Sequence, residues 1–171
     1  KTLKSFMSRF KAGANILDFG CGVGDSAATM RAEGLLPVCR DGSAEMVRTA
    51  NELYQLDASV ALFSELDDNN IYDGVWANFS LLHAPKSEFP HLISALHTSL
   101  KSNGWLFVAL KLGDGEIRDK FGRHYAYYEE DELDSILIKA GFAVDEKIYG
   151  KSKGMAGTDE PWIGGFYQKA E

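Results

Sequence analysis

Residues 16–27, ILDFGCGVGDSA, constrain this chain more than any other stretch. Asn15–Phe19 is a short apolar run ending in glycines and predicts a buried strand, and residues 25–33 predict a helix stopped by Gly34. Glycines at 20, 22 and 24 permit backbone conformations closed to other residues and let a ligand approach the main chain. Strand, glycine turn and helix in that order belong to doubly wound α/β folds, where ligands bind beyond the C-terminal strand ends at the topological switch point. Leu36–Asp41 predicts the second strand, and Asp41 closes it. A carboxylate at that place can accept both ribose hydroxyls of an adenosine.

The rest of the chain keeps the same alternation of short apolar runs and amphipathic stretches, which predicts α/β architecture. Leu3, Phe6, Met7 and Phe10 follow helical spacing at the start. Ser43 is placed to cap a helix whose face is Met46, Val47, Ala50 and Tyr54. Residues 59–63, 72–79 and 105–110 predict strands three to five. Phe89, Leu92, Ile93, Leu96 and Leu100 mark a helix closed by Asn103 and Gly104, and Leu133, Ile136, Leu137 and Ala140 mark another stopped by Gly141. Two final strands, 143–149 and 162–168, have no helical pattern between them and must therefore run antiparallel. The expectation is five βα units and a terminal hairpin.

Size and charge narrow the function classes. The 171 residues are 45% apolar and 25% charged, as expected of one globular domain spanning 1–171. No window approaches a membrane-spanning run and no leader opens the chain, so a cytoplasmic protein is expected; the missing initiator Met predicts an incomplete N-terminus. A net charge of −7 and a pI near 5.1, without a basic cluster, argue against a nucleic-acid partner. Cys21 and Cys39 lack metal-type spacing, so no metal site is expected and both read as small buried thiols.

A glycine loop followed by an acid also describes dinucleotide-binding folds. That fingerprint needs glycine at 25, where this chain has Asp25, and an acid at a helix N-terminus would repel a pyrophosphate. A tight β–α turn with no ligand is the plainer alternative, and Asp18 before the loop and Asp41 after it weigh against it. ILDFGCGVG resembles the first motif of the class I S-adenosylmethionine (SAM)-dependent methyltransferases, and CRDGSAEMV resembles their second. YDGVWANFSLLHAP, LKSNGWLFVALK and EEDELDSILIKAGFAV are similar to their fourth-strand block, fifth-strand block and following helix and strand. The resemblance runs from about Gly13 to the C-terminus. It implies a Rossmann-like, doubly wound, seven-stranded sheet, mostly parallel with an antiparallel last strand.

The same resemblance implies SAM as cofactor and S-adenosylhomocysteine (SAH) as product. Gly20, Gly22 and Gly24 would line the methionine part, and Asp18 would support the loop or the donor's amino group. Asp41 would bind the ribose, with Gly42 and Met46 beside the adenosine. Phe63 could stack on adenine while Ser64 or Glu65 takes its amino group, and Asn78 and Phe79 would flank the donor. The family's habit implies that the opening helix folds over the donor site as a cap, against the alternative of packing on the sheet edge.

Methyl transfer is an in-line displacement, so positioning matters most and a general base is needed only for an acceptor that must lose a proton. His83, after strand four, is the candidate base, with loop capping as the alternative; His91 and His97 read as solvated. Residues 112–128 form a long segment without periodicity, of the kind that often serves as a binding loop. Arg118, Arg123, Tyr125 and Tyr127 in it could clamp a small polar acceptor, or the loop could be solvated and self-paired. The glycine-bearing stretch 150–161 exceeds a tight turn. The functional expectation is methyl transfer from SAM to a small soluble acceptor, with a non-catalytic SAM/SAH-binding module and a nucleotide-cofactor oxidoreductase as alternatives.

Overall fold

Four consecutive buried residues, Ile16 to Phe19, demand a strand covered on both faces, since successive side chains point to opposite sides. The computed structural model, which describes residues 1–154 and 157–171, places that strand inside a seven-stranded sheet. The described elements are α1 (Thr2–Met7), β1 (Asn15–Phe19), α2 (Asp25–Ala32), β2 (Leu36–Asp41), α3 (Ala44–Tyr54), β3 (Ser59–Val60), β4 (Tyr72–Asn78), α4 (Phe89–Ser99), β5 (Leu100–Lys111), β6 (Glu116–Arg118), β7 (His124–Ala126), α5 (Glu130–Lys139), β8 (Phe142–Lys153) and β9 (Asp159–Lys169). The sheet order is β3-β2-β1-β4-β5-β9-β8. Strands β1 to β5 pair in parallel, and β9 runs antiparallel to both β5 and β8. The sheet is therefore the mostly parallel, seven-stranded, doubly wound form with an antiparallel last strand. Strand order reverses between β1 and β4, which puts the switch point at their C-terminal ends.

Alternation along the strands builds the two covering layers. Leu17, Val75, Leu106 and Val108 face Phe89, Ile93 and Leu96 of α4 and Leu133 and Leu137 of α5. Ile16, Trp76, Phe107 and Phe166 face the other way, onto Phe6 of α1 and Met30 of α2. Trp76 stacks on Phe107 with ring centroids 4.4 Å apart. The helix ends carry their own signals. The Ser43 hydroxyl accepts the Met46 N–H at 3.3 Å, and the acidic first turn and Lys139 of α5 oppose the helix dipole. Among the described residues, no helix is long and apolar enough to cross a membrane.

Several local expectations are corrected. The third strand stops at Val60, and residues 63–65 form a 3₁₀ turn. There the Glu65 carboxylate accepts the Leu62 N–H at 3.1 Å, a side-chain closure that ends the extended backbone. The third crossover thus has no α-helix, so four βα units, not five, are helical, and Leu36 stays 54% exposed. Residues 112–128 are not irregular throughout: β6 and β7 form a hairpin, its turn held by Asp119 Oδ1, which accepts the N–H of Phe121 and of Arg123 at 2.9 Å each. Helix α4 ends at Ser99, short of the glycine, and β5 begins at once. In the stretch 150–161 the strands extend to Lys153 and resume at Asp159, and residues 155–156 lie outside the described residues. His97 is not solvated: it is half-buried against Phe142, and burial first, with Lys169 second, lowers its pKa.

The opening helix does not cap the site. Phe6 is fully buried against Trp76 and the sheet, and Arg9 reaches across to Asp145 and Glu146 at 2.9 and 3.0 Å. The sheet face depends on Phe107, which is fully buried between Trp76 and Phe166. Phe107→Ala is expected to cost about 3–5 kcal/mol in chemical denaturation, because the cavity it leaves is walled by large rings that cannot collapse into it.

Candidate functional site

The loop after β1 is shaped by two collisions that only glycine avoids. Gly20 sits at φ +83°, where a Cβ would strike the Ser80 side chain, so the exits of β1 and β4 can touch. Gly24 sits at φ +91°, where a Cβ would strike Leu56. It starts α2 and packs; it does not line the cavity, contrary to expectation. Between them the Gly22 N–H donates to Asp41 Oδ2 at 2.8 Å, and the Ser43 N–H donates to Asp41 Oδ1 at 2.9 Å. Asp41 is therefore fixed by backbone donors from the loop and from the start of α3. Each of its oxygens keeps a lone pair for a further donor.

A cavity of about 660 Å³ opens at the switch point. Of the residues expected around a donor, Asp18, Gly20, Gly22, Asp41, Gly42 and Met46 line it on the β1–β2 side. Phe63, Asn78, Phe79 and His83 line it on the other. Ser64 and Glu65 do not: both are exposed on the 3₁₀ turn, and Glu65 is committed to Leu62. Trp76, Ser80, Cys21, Val23 and Asp25, Ser26 and Ser43 line the cavity without having been singled out for it. Trp76 was findable, because it pairs in register with Asp18 and so shares its face. Asp25 also holds the Tyr54 hydroxyl at 2.6 Å, which raises the Tyr54 pKa.

Asp18 is the electrostatic centre of the cavity. It is 2% exposed, its Oδ2 has no hydrogen-bond partner, and burial, with Asp41 second, pushes its pKa up to about 7. A buried carboxylate without a partner is costly and is relieved by a cation. The residues thus fit a ligand with a diol at Asp41, a flat ring near Phe63 and an ammonium at Asp18, which is the make-up of SAM. Phe63 itself is steadied by Phe19, with centroids 4.8 Å apart.

At the rim His83 ends a short 3₁₀ turn, and its Nδ1 lies 3.0 Å from the His124 carbonyl oxygen. A carbonyl only accepts, so Nδ1–H is the donor in this bond, and in the neutral ring Nε2 carries the lone pair. The hairpin that supplies the carbonyl also brings Arg123 to the cavity, with its Nε on Asp119 Oδ2 at 2.8 Å. The other residues expected on the acceptor side do not line this cavity. Arg118 is exposed and donates to the Gly122 carbonyl at 2.8 Å, closing the hairpin turn. Tyr125 and Tyr127 line a separate cavity, though the Tyr125 ring centroid lies 4.9 Å from that of His83.

A mostly parallel sheet with a glycine loop after its first strand, an acid at the end of its second and a cavity at the switch point is the Rossmann-like arrangement. The sequence matches the family described as the methyltransferase domain over residues 1–147. The chain belongs to that family and has the fold of the class I SAM-dependent methyltransferases. Among curated proteins no match is found. Among solved structures the chain is similar to a SAM-dependent methyltransferase from Methanosarcina mazei, at 18% identity and TM-score 0.84, covering 97% of each chain. It is also similar to the 1,6-didemethyltoxoflavin-N1-methyltransferase of Burkholderia thailandensis, solved with 1,6-didemethyltoxoflavin and SAH, at 18% identity and TM-score 0.81. That match covers 100% of this chain and 78% of the other. The [4+2]-cyclase SpnF is a third, at 19% identity and TM-score 0.75, covering 99% and 81%.

The raised pKa of Asp18 sets a pH dependence of stability. Below about pH 4 the group is protonated folded and unfolded, and it contributes no slope. As pH rises from there to about 7 the unfolded chain ionises first, so stability falls, by up to about 1.4 kcal/mol per pH unit, and then levels. Denaturant titrations of the wild type against Asp18→Asn should show this loss in the wild type and its absence in the variant.

Proposed function

We propose that this protein binds SAM in the switch-point cavity and passes its methyl group to a small soluble acceptor whose proton is taken by His83. The observation that carries the reading is that one cavity holds the fixed acceptor Asp41, the unpartnered carboxylate Asp18 and, at its rim, a histidine with Nε2 left free. Asp41 accepts the ribose hydroxyls, with Gly42 and Met46 beside the adenosine. Phe63 stacks on the adenine ring, and Asp18 meets the ammonium of the methionine part. Asn78 and Phe79 flank the donor, and Gly20 and Gly22 let it lie against the backbone. The donor supplies a methyl on sulfonium sulfur, whose C–S bond breaks, its electron pair staying on sulfur, as the bond to the acceptor forms.

His83 Nε2 accepts the proton that the acceptor's O–H or N–H gives up, while Arg123 borders the same space. A net charge of −7 favours a small molecule over a nucleic acid as the acceptor, and the buried thiols Cys21 and Cys39 suit a reducing cytoplasm. The likeness to SpnF supports a second reading, that this fold carries other chemistry or simply binds the donor. Release of labelled methyl from SAM into an acceptor separates the two.

Calorimetry with SAH tests the donor half directly. Asp41→Ala is expected to weaken SAH about a hundredfold, the loss of two charge-assisted hydrogen bonds. His83→Ala should leave SAH affinity unchanged and lower methyl transfer by roughly a hundredfold or more, as loss of a general base does. Absence of SAH binding to the wild type would sink the reading.

A further inference from the structure

His83 is exposed at the rim of the switch-point cavity, so its placement depends on what holds the loop after β4. Around it the backbone donors close a 3₁₀ turn: the His83 N–H donates to the Ser80 carbonyl at 3.2 Å and the Ala84 N–H to the Leu81 carbonyl at 3.0 Å. Pro85 has no N–H to give. The Lys86 N–H leaves the loop altogether and donates to Glu116 Oε1 at 3.2 Å. Because the Pro85 ring fixes its φ at about −65°, a displacement at Lys86 is carried back towards His83 instead of being absorbed between them.

Glu116 takes that N–H from β6. It pairs with Ala126 across the hairpin, which puts it diagonal to His124 on the same face. Its other oxygen, Oε2, lies 3.0 Å from His124 Nε2, a close contact that is not aligned as a hydrogen bond and so acts through charge. The Glu116 and His124 side chains are 36% and 16% exposed, which limits screening by water. His124 is also the residue whose carbonyl oxygen receives His83 Nδ1, at 3.0 Å. One carboxylate therefore touches the backbone three residues beyond His83 and the side chain of the residue that His83 bonds.

Neighbouring groups are engaged elsewhere. Lys86 Nζ donates to Glu132 of α5 at 2.8 Å and lies 4.7 Å from the centre of the Tyr128 ring, while Asp119 holds the hairpin turn. The Tyr125 ring packs edge-on against His83 with centroids 4.9 Å apart, a contact that does not distinguish the two imidazole nitrogens. We propose that Glu116 is a positioning residue for His83: its carboxylate pins the loop to the hairpin, so that the His124 carbonyl stays within reach of Nδ1 and the ring keeps one tautomer at the cavity rim. That this ring position serves proton removal rests on the methyl-transfer reading, but the position itself does not.

The tautomer can be read directly. Long-range proton–nitrogen correlation spectra of the isotopically labelled full chain, at about pH 8 where an ordinary imidazole is neutral, separate protonated from unprotonated ring nitrogens. The His83 signals are assigned by their disappearance in His83→Ala. The wild type should show His83 protonated at Nδ1. Glu116→Ala should turn this into a mixture of the two tautomers. Glu116→Gln, whose amide oxygen still accepts the Lys86 N–H, should keep the wild-type form. Backbone amide spectra certify the fold, since shifts outside the loop and the hairpin should not move.

Three results would overturn the assignment: His83 protonated at Nε2 in the wild type, the wild-type tautomer unchanged in Glu116→Ala, or Glu116→Gln behaving as the alanine variant. If SAH does not bind, the methyl-transfer reading falls by itself, and the tautomer spectra still decide what Glu116 does.

Discussion

The Asp41 carboxylate ties together three parts of the chain that are far apart in sequence. It ends β2, receives the Gly22 N–H from the loop after β1, and receives the Ser43 N–H from the start of α3. Both bonds are charge-assisted and partly shielded from water, so they are of the stronger kind. Remove them and the glycine loop, the helix entry and the strand end are no longer referred to a common point. The cavity exists because this junction holds its floor open while Gly20 lets Ser80 close in from β4. Asp18 then sits beneath, buried by the same arrangement that makes its charge costly. The cavity thus carries a buried carboxyl whose ionised form is unfavourable until a cation answers it.

The hairpin after β5 has two roles at the opposite wall. Its His124 carbonyl oxygen accepts from His83 Nδ1, and its Tyr125 ring packs edge-on against the His83 ring. The hairpin is itself held by Asp119, and the His124 ring reaches Glu116 on the neighbouring strand at 3.0 Å. The orientation of the His83 ring and the position of Arg123 therefore depend on one short insert, while the rest of the switch-point cavity depends on the strands and loops before it.

The parts of this design that were legible in the sequence are those governed by local rules. The buried run before three glycines, the capping Ser43 and the helical spacing of Phe89, Ile93 and Leu96 each follow from backbone geometry or periodicity, and all were found. Asp18, Asp41 and His83 could be placed because strand ends fix where such residues project. What was not legible depended on distant partners. Gly24 looks like Gly20 in sequence, yet it packs on Leu56, a contact supplied by another element. Arg118 and Arg123 are alike in composition. Hairpin register sends one to a turn carbonyl and the other to the cavity. Glu65 was expected at adenine, but a carboxylate three residues from a free N–H closes locally instead. The separate cavity beside Tyr125 and Tyr127 needs Lys111 and Glu160 to meet, and nothing in either neighbourhood announces it.

The insertion of β9 between β5 and β8 has a consequence for how the chain is made. Trp105 pairs with Gln168 and Lys111 with Trp162, so the sheet interior is completed by residues near the end of the described chain. During synthesis β5 presents an open hydrogen-bonding edge, with Leu106, Phe107 and Val108 beside it, until those residues emerge. Pairings so remote in sequence form late and slowly, because the intervening loop must close first. Most of the switch-point cavity, from Asp18 to His83, is complete in sequence well before the strand that seals the sheet. The ribosome therefore delivers the cavity and the strand that closes the sheet at different times, and the interval between them leaves an unpaired edge open to chaperones and to edge-to-edge association.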